Sequence, residues 1–340
     1  MRYLVTGATG FIGAETVRQL TEAGHEVTAL VRDPAKVKAA GDETRAATGP
    51  DDPLQHPRVL LTRGDITDRA SLREPMAAVD GVFHIAGWYQ VGARDKTPAV
   101  AINVEGTRNV LETAKELAVP KIVYTSTLAV FSDTHGRVVD EDYHFTGRHI
   151  SVYDESKWRA HYEVALPLIR QGLPLVVVQP GVVYGPGDRG PMADTFALYL
   201  RRRLPMVPKR SAYCWGHVAD TARAHLLAME KGRVGESYIV GGPCAELSAV
   251  LAVLERLSGV PGPRLRSSPA ALRALSRLME VVDRVHPLSG TYSPETLRVG
   301  AGATYLGSNA KAARELGLSM RSIDEGLRES LPWYRGLAEA

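Results

Sequence analysis

Over the first 180 residues, short β-branched and aliphatic runs alternate with longer stretches in which apolar residues recur at helical spacing. Tyr3-Leu4-Val5, Val27 to Val31, Val59-Leu60-Leu61, Val82 to Ile85, Ile122-Val123-Tyr124 and Leu175 to Val178 read as buried strands. Between them the spacing predicts a helix over 11–23, stopped by Gly24, and a helix capped near Thr67 or Asp68. Two more are predicted: one opened by Thr97-Pro98 and running to about Ala118, and one over 152–171. The stretch from about Pro34 to Pro57 is polar and rich in Gly, Pro and Asp, and reads as a helix start followed by a loop. This β-α-β-α order implies an α/β protein with a doubly wound parallel sheet, whose ligands bind where the strands end.

After Pro180 the pattern changes. Prolines and glycines become frequent, and helical segments dominate from about 246 to 282 and from 309 to 337. Residues 1–180 and about 213–243 are assigned to the sheet domain, with Tyr238-Ile239-Val240 returning to the main sheet. About 181–212 and 244–340 form a smaller, mainly helical substrate lobe. Length agrees, since 340 residues suggest about two units.

Charge only excludes. Lys and Arg total 41 against 38 Asp and Glu, a net +3 that lacks the basic excess of a dedicated nucleic-acid binder. The two cysteines, Cys214 and Cys244, exclude a disulfide-rich scaffold and are expected as free thiols. No apolar run approaches the roughly 18 residues of a membrane span, and no membrane partner is expected. The first strand starts so early that no leader is expected, and a cytoplasmic location follows. No metal site is expected.

The most specific local signal is Thr6-Gly7-Ala8-Thr9-Gly10-Phe11-Ile12-Gly13, set between a strand and a helix. Gly7 permits the turn, Gly10 lets backbone approach a pyrophosphate, and Gly13 permits close helix–strand packing. The helix start adds free N–H groups for phosphate oxygens, so this is a Rossmann-type dinucleotide cradle. The acid expected about 20 residues later is missing, and Arg32 stands there instead. Arg32 suits a 2′-phosphate and points to NADP(H), with NAD(H) possible; a solvated Arg32, or one stacked on adenine, is the alternative. Asp65, followed by Ile66, could accept from the adenine amino group or simply shape its turn.

Tyr153-Asp154-Glu155-Ser156-Lys157 places a phenol and an ammonium on one helix face. Lowering a tyrosine from its usual pKa near 10 to about 7 takes roughly 4 kcal/mol, which Lys157 and a cationic nicotinamide could supply. The hydroxyl triplet Thr125-Ser126-Thr127 ends the fifth strand, where it could hold a carbonyl oxygen beside Tyr153.

Taken together, the Thr6–Gly13 loop, the triplet, Tyr153/Lys157 and Pro180-Gly181-Val182-Val183-Tyr184-Gly185-Pro186-Gly187 resemble the extended short-chain dehydrogenase/reductase superfamily, the NAD-dependent epimerase/dehydratase group. His217-Val218-Ala219-Asp220 and Trp333-Tyr334 resemble its dihydroflavonol-4-reductase-like branch. The resemblance covers nearly the whole chain. It implies a catalytic hydroxyl at Thr127, an acid/base at Tyr153 and a ribose-anchoring lysine at Lys157. It implies cofactor contacts at Gly7, Thr9, Gly10, Phe11, Ile12, Gly13, Arg32, Asp65, Ile66, Ala86, Pro180 and Val183. The implied reaction is hydride transfer between nicotinamide and a ketone or secondary alcohol, and a homodimer is the family expectation.

Members acting on nucleotide sugars tend to carry an Arg four residues before the His of this segment, and here that position is Tyr213. A phenol cannot replace a bidentate diphosphate clamp, although Arg210 or Arg201 to Arg203 could compensate. A reductase is therefore favoured over a nucleotide-sugar epimerase or dehydratase, and over a non-catalytic NADP(H) sensor. Trp88, Tyr89, Tyr184, Tyr213 and Trp215 are expected around a flat, apolar substrate, with packing of the lobe interface as the alternative. His84 reads as a core histidine, His217 as ordering its loop, and Asn103 as holding a loop or a water. Arg94 could contact a substrate anion but reads first as solvated, as do Arg201 to Arg203.

Overall fold

In the computed structural model, which describes residues 1–40, 52–263, 265–285 and 293–339, six consecutive β-branched runs become neighbouring parallel strands. They are β1 (Arg2–Thr6), β2 (Glu26–Val31), β3 (Val59–Arg63), β4 (Gly81–His84), β5 (Ile122–Thr125) and β6 (Leu175–Gln179). Next along the chain come β7 (Val182–Tyr184), β8 (Val207–Pro208), β9 (Ala212–His217) and β10 (Ser237–Ile239). The last three are β11 (Cys244–Glu246), β12 (Arg266–Ser267) and β13 (Thr304–Tyr305). The main sheet runs β10-β6-β5-β4-β1-β2-β3. Its order reverses between β1 and β4, so the carboxyl ends of these strands open a ligand crevice. Residues 41–51 of the expected helix-and-loop stretch lie outside the described residues; 34–40 are helical.

Both faces of this sheet are dry. One core gathers Val5, Val17, Phe83, Val123 and Tyr238 beneath the Phe11–Glu22 and Val218–Lys231 helices. The other gathers Leu4, Val82, Leu111, Ile122 and Val164 beneath the helices on the opposite side. Strands buried on both sides explain the continuous apolar runs.

The predicted helices form with two changes of winding. The segment opened by Thr97-Pro98 is π-helical over Ala99–Gly106 and α-helical over Thr107–Glu116. The 152–171 segment is α-helical over Val152–Arg159, π-helical over Ala160–Ala165 and α-helical again over Leu166–Arg170. The segment capped by Asp68 is a short 3₁₀ turn, Arg69–Leu72, running into Arg73–Met76.

The smaller lobe has a sheet of its own, β11-β9-β13 with β7 also paired to β9. Residues 213–217 therefore belong to this second sheet, while Val218–Lys231 and β10 pack into the main one. Ala310–Leu316 likewise packs on the main domain, through Ala312 and Leu316. Cys214 and Cys244 are joined in a disulfide, contrary to the expected free thiols. The cause is register: the two residues lie directly opposite in the antiparallel β9–β11 pair. A separation of 30 residues gave no sign of that pairing.

Candidate active site

The glycine loop closes against two backbones. Gly7 has φ +73°, and a Cβ there would lie 2.6 Å from the Ala86 nitrogen. A Cβ at Gly13 would lie 2.0 Å from the Gly7 carbonyl oxygen, so only glycine lets the helix start so close to β1. The Phe11–Glu22 helix begins with no side-chain cap and no acid in its first turn. Thr9 and Gly10 are exposed in front of it. Uncapped N–H groups at an accessible helix start fit a dinucleotide pyrophosphate.

Around this loop, Arg32 is exposed at the end of β2. Its neighbour Asp33 is committed, accepting from Ala35 N and Lys36 N at 3.1 Å each. Asp65 shapes its turn through Oδ1, which accepts from Thr67 N at 2.9 Å and Thr67 Oγ1 at 2.8 Å. Ile66 is buried, with its side chain against Gly106. Ala86 N donates to Thr6 Oγ1 at 3.2 Å. Gly187 brings the loop after β7 up to the Phe11 ring. That loop is held by the last helix: Trp333 Nε1 donates to Asp188 O at 2.8 Å, and Gly185 N donates to the Tyr334 hydroxyl at 2.9 Å.

The three hydroxyls after β5 have different partners. Thr125 Oγ1 shares a hydrogen bond with His225 Nε2 at 2.8 Å, and Ser126 Oγ with His161 Nδ1 at 2.9 Å. Burial pushes both imidazoles down, His225 to about 4 and His161 to about 3, so both are neutral partners at pH 7. Thr127 accepts from Ala129 N at 3.2 Å and meets the Tyr153 phenol. Pro180 is buried behind it, its carbonyl accepting from Leu128 N at 2.8 Å, and Val183 is half-buried beyond.

Lys157 is buried and donates from Nζ to Thr125 O at 2.8 Å and to the Tyr124 hydroxyl at 3.3 Å. Burial pushes its pKa down to about 7. The expectation that Lys157 would depress Tyr153 is not met within the chain itself. Burial and the neighbouring Tyr89 raise the phenol well above its usual value, and the Thr127 hydrogen bond only partly opposes them. Tyr153 is therefore protonated at neutral pH, able to donate.

On the substrate side, Tyr89 packs edge-on to Tyr153 at 4.8 Å between ring centroids. Trp88 N donates to Asn103 Oδ1 at 2.7 Å, and Asn103 Nδ2 donates to Trp88 O and to Ser156 Oγ. Asn103 thus pins the aromatic loop onto the Tyr153 helix. Tyr213 is stacked on Tyr305, 6.1 Å between centroids. Tyr184 and Trp215 are each only 1% exposed, in the lobe core with Phe196 and Tyr334. Tyr184 lies against Gly326 of the last helix and Trp215 stacks on Phe196, so both serve the lobe core, which Tyr213 also joins at 8% exposure.

Among the other singled-out residues, His84 bridges Thr6 and Thr107 at 2.8 and 3.0 Å and is pushed down to about 3 by burial. His217 caps the Val218–Lys231 helix. Arg94 is exposed. Arg201 is not simply solvated, since its guanidinium donates to the carbonyls of Ala338 and Leu337 at the end of the last helix. Among the described residues, no group of three or more His, Cys, Asp or Glu could hold a metal ion.

Three site residues escaped the sequence reading. Asp154 is buried next to Tyr153, accepting from Ser151 Oγ at 2.6 Å and the Tyr305 hydroxyl at 2.9 Å. Glu295 is buried and accepts from Val152 N at 2.7 Å and Gly92 N at 3.3 Å. The spacing Ser151-x-x-Asp154 at a helix start was a readable capping signal. Glu295 and Tyr305 arrive from about 150 residues away and gave none.

A family model described as the NAD dependent epimerase/dehydratase family matches residues 3–241. A Synechocystis sp. protein, named provisionally as a dihydroflavonol 4-reductase, is 31% identical over 98% of this chain and 94% of its own length. Sterol demethylase protein B of Methylococcus capsulatus is 29% identical over 98% of each chain. The crystal structure of gox2253 superposes with a TM-score of 0.82 at 30% identity, covering 98% of both chains.

Proposed function

The chain belongs to the NAD-dependent epimerase/dehydratase family and is an NAD(P)-dependent oxidoreductase; from that premise we propose that it is an NADP(H)-preferring reductase of a ketone on a small apolar or aromatic molecule. The observation that carries the reading is a protonated Tyr153, held between Thr127 and Tyr89 in a wall of phenols.

A nicotinamide dinucleotide, once bound, would supply the hydride chemistry. Gly7, Thr9, Gly10, Phe11, Ile12 and Gly13 would hold its pyrophosphate at the open helix start, and Arg32 would meet a 2′-phosphate. Asp65, Ile66 and Ala86 line the adenine and ribose side, and Pro180 and Val183 the nicotinamide side. Thr127 orients the substrate oxygen. Tyr153 donates its proton there as negative charge develops, and accepts it in the oxidative direction. Lys157, anchored on Thr125 O, holds ribose hydroxyls and counters the phenolate left behind. Trp88, Tyr89 and Tyr213 offer a flat apolar surface for the substrate body.

A nucleotide-sugar epimerase is the second reading, and Tyr213 weighs against it. The phenol faces Tyr305 and Trp215 where a diphosphate needs a cation. The relatives' names mention a dihydroflavonol and a sterol, which supports an apolar substrate class. The test follows NADPH and NADH absorbance across aromatic, sterol-like and aliphatic ketones, with UDP- and dTDP-sugars included. NADPH oxidation by apolar ketones is expected; epimerisation of a nucleotide sugar without net cofactor consumption overturns the proposal.

A further inference from the structure

The Pro269–Val285 helix turns its apolar side outward. At 3.6 residues per turn, Ala271, Ala274, Leu275, Leu278, Val281 and Val282 fall within an arc of about 120°. Leu278 and Val281 are each 58% exposed, Leu275 40% and Val282 36%, and both alanines are exposed as well. The inward side is mixed, with Leu272 and Met279 half-buried beside polar groups. Ser276 is buried and donates to Pro294 O at 2.8 Å, and Glu280 pairs with Arg298. A surface helix of a globular protein ordinarily turns its widest apolar arc to the core. The apolar surface has a second part at the β8–β12 pair leading into this helix, where Met206 is 41% and Leu265 66% exposed.

Cations border this surface. Arg273 and Arg277 lie along one flank of the helical stripe, and Arg266 and Lys209 sit on the β8–β12 side; all four are exposed. The nearest carboxylate on the helix flank, Glu280, is already paired with Arg298. An apolar stripe edged by arginines matches an anionic lipid surface, with the leucines and valines in the acyl boundary and the guanidiniums at phosphate level. A second copy of this chain fits less well. An antiparallel two-fold contact through the same face would bring two sets of these arginines together.

We propose that the outer face of the Pro269–Val285 helix docks the enzyme on an anionic membrane, the helix lying in the plane of the interface. No helix among the described residues is long and apolar enough to cross a membrane, and this docking needs none. The helix packs on Pro294–Val299, whose Glu295 holds Gly92 N and Val152 N beside Tyr153. One packed element, Pro294–Val299, therefore lies between the docked helix and the Tyr153 site.

Flotation of the full chain with vesicles of phosphatidylcholine and phosphatidylglycerol tests this against phosphatidylcholine alone. The wild type is expected to float with the anionic vesicles, and less so at high salt. Leu278→Glu/Val281→Glu is expected to lose flotation at least tenfold, and Arg273→Gln/Arg277→Gln to weaken it several-fold, both with NADPH binding retained. Should the first variant fail to fold, Leu278→Ser replaces it, with light scattering run alongside. A wild type that stays unbound overturns the proposal. So does equal flotation of the apolar variants, or an apolar variant that turns a dimer into a monomer while vesicle binding is unchanged.

Discussion

The Tyr305 hydroxyl donates to Asp154 Oδ2 at 2.9 Å, one residue past Tyr153, and this carboxyl has no ion pair among the described residues. Burial raises this carboxyl to about 7, and the nearby Glu295 adds to the rise, while the hydrogen bonds from Ser151 and Tyr305 oppose it. An unfolded aspartate titrates near 3.9, so folding takes up a proton between about pH 4 and 7. The stability from this group is full below about pH 4, falls as pH rises through 7, and changes no further above. Across that span the difference is worth roughly 4 kcal/mol. Asp154→Asn cannot ionise, and its loss of stability from pH 5 to 8 should be smaller than the wild type's. Urea unfolding at both pH values reads the difference, and parallel losses in the two proteins would contradict the raised carboxyl.

Tyr153 stays protonated without cofactor, so replacing it removes the proton donor and little else. Tyr153→Phe keeps the ring contact with Tyr89. Turnover should fall roughly 10²–10⁴-fold, the usual contribution of a positioned acid, while NADPH affinity stays within a few-fold. Single-turnover kinetics beside fluorescence titration of NADPH separate the two quantities. Near-native turnover would remove Tyr153 from the chemistry.

Neighbouring hydroxyls in the triplet should respond differently. Thr127 meets Tyr153, and Thr127→Val should lower kcat at least tenfold with a small change in stability. Ser126 instead satisfies His161, and Ser126→Ala leaves a buried imidazole nitrogen without its partner. That variant should lose about 1–3 kcal/mol of stability and keep most of its turnover per folded molecule. Paired thermal melts and steady-state rates check both; the reverse pattern would move the catalytic hydroxyl to Ser126.

These contrasts show what the sequence could convey. The six main strands and the glycine loop were legible because each depends on neighbours within a few residues. The Tyr153–Lys157 pair was legible for the same reason, both lying on one helix face. The roles of Thr125 and Ser126 were not, because their partners His225 and His161 are set by packing 100 and 35 residues away. Tyr184 and Trp215 were not recognisable as core residues, because aromatic side chains serve cores and sites equally well, and their burial depends on how β7, β9 and the last helix pack. The disulfide and Glu295 belong to the same class: each depends on register or docking between distant segments.

Arg32 gives the most direct test of cofactor choice. It is exposed, and it has no ion-pair partner among the described residues. The neighbouring Asp33 already holds the backbone N–H groups of Ala35 and Lys36 through Oδ1. A charge-assisted contact to a 2′-phosphate is worth about 1.5–3 kcal/mol, or roughly a 10- to 150-fold preference. Arg32→Asp should therefore lower kcat/KM for NADPH by that factor and raise it for NADH, since a carboxylate repels the phosphate and accepts from ribose hydroxyls. Because the side chain is exposed, stability should change by less than about 0.5 kcal/mol. The ratio of kcat/KM for the two cofactors, measured in both proteins, is decisive: an unchanged ratio means that Arg32 does not select the phosphate.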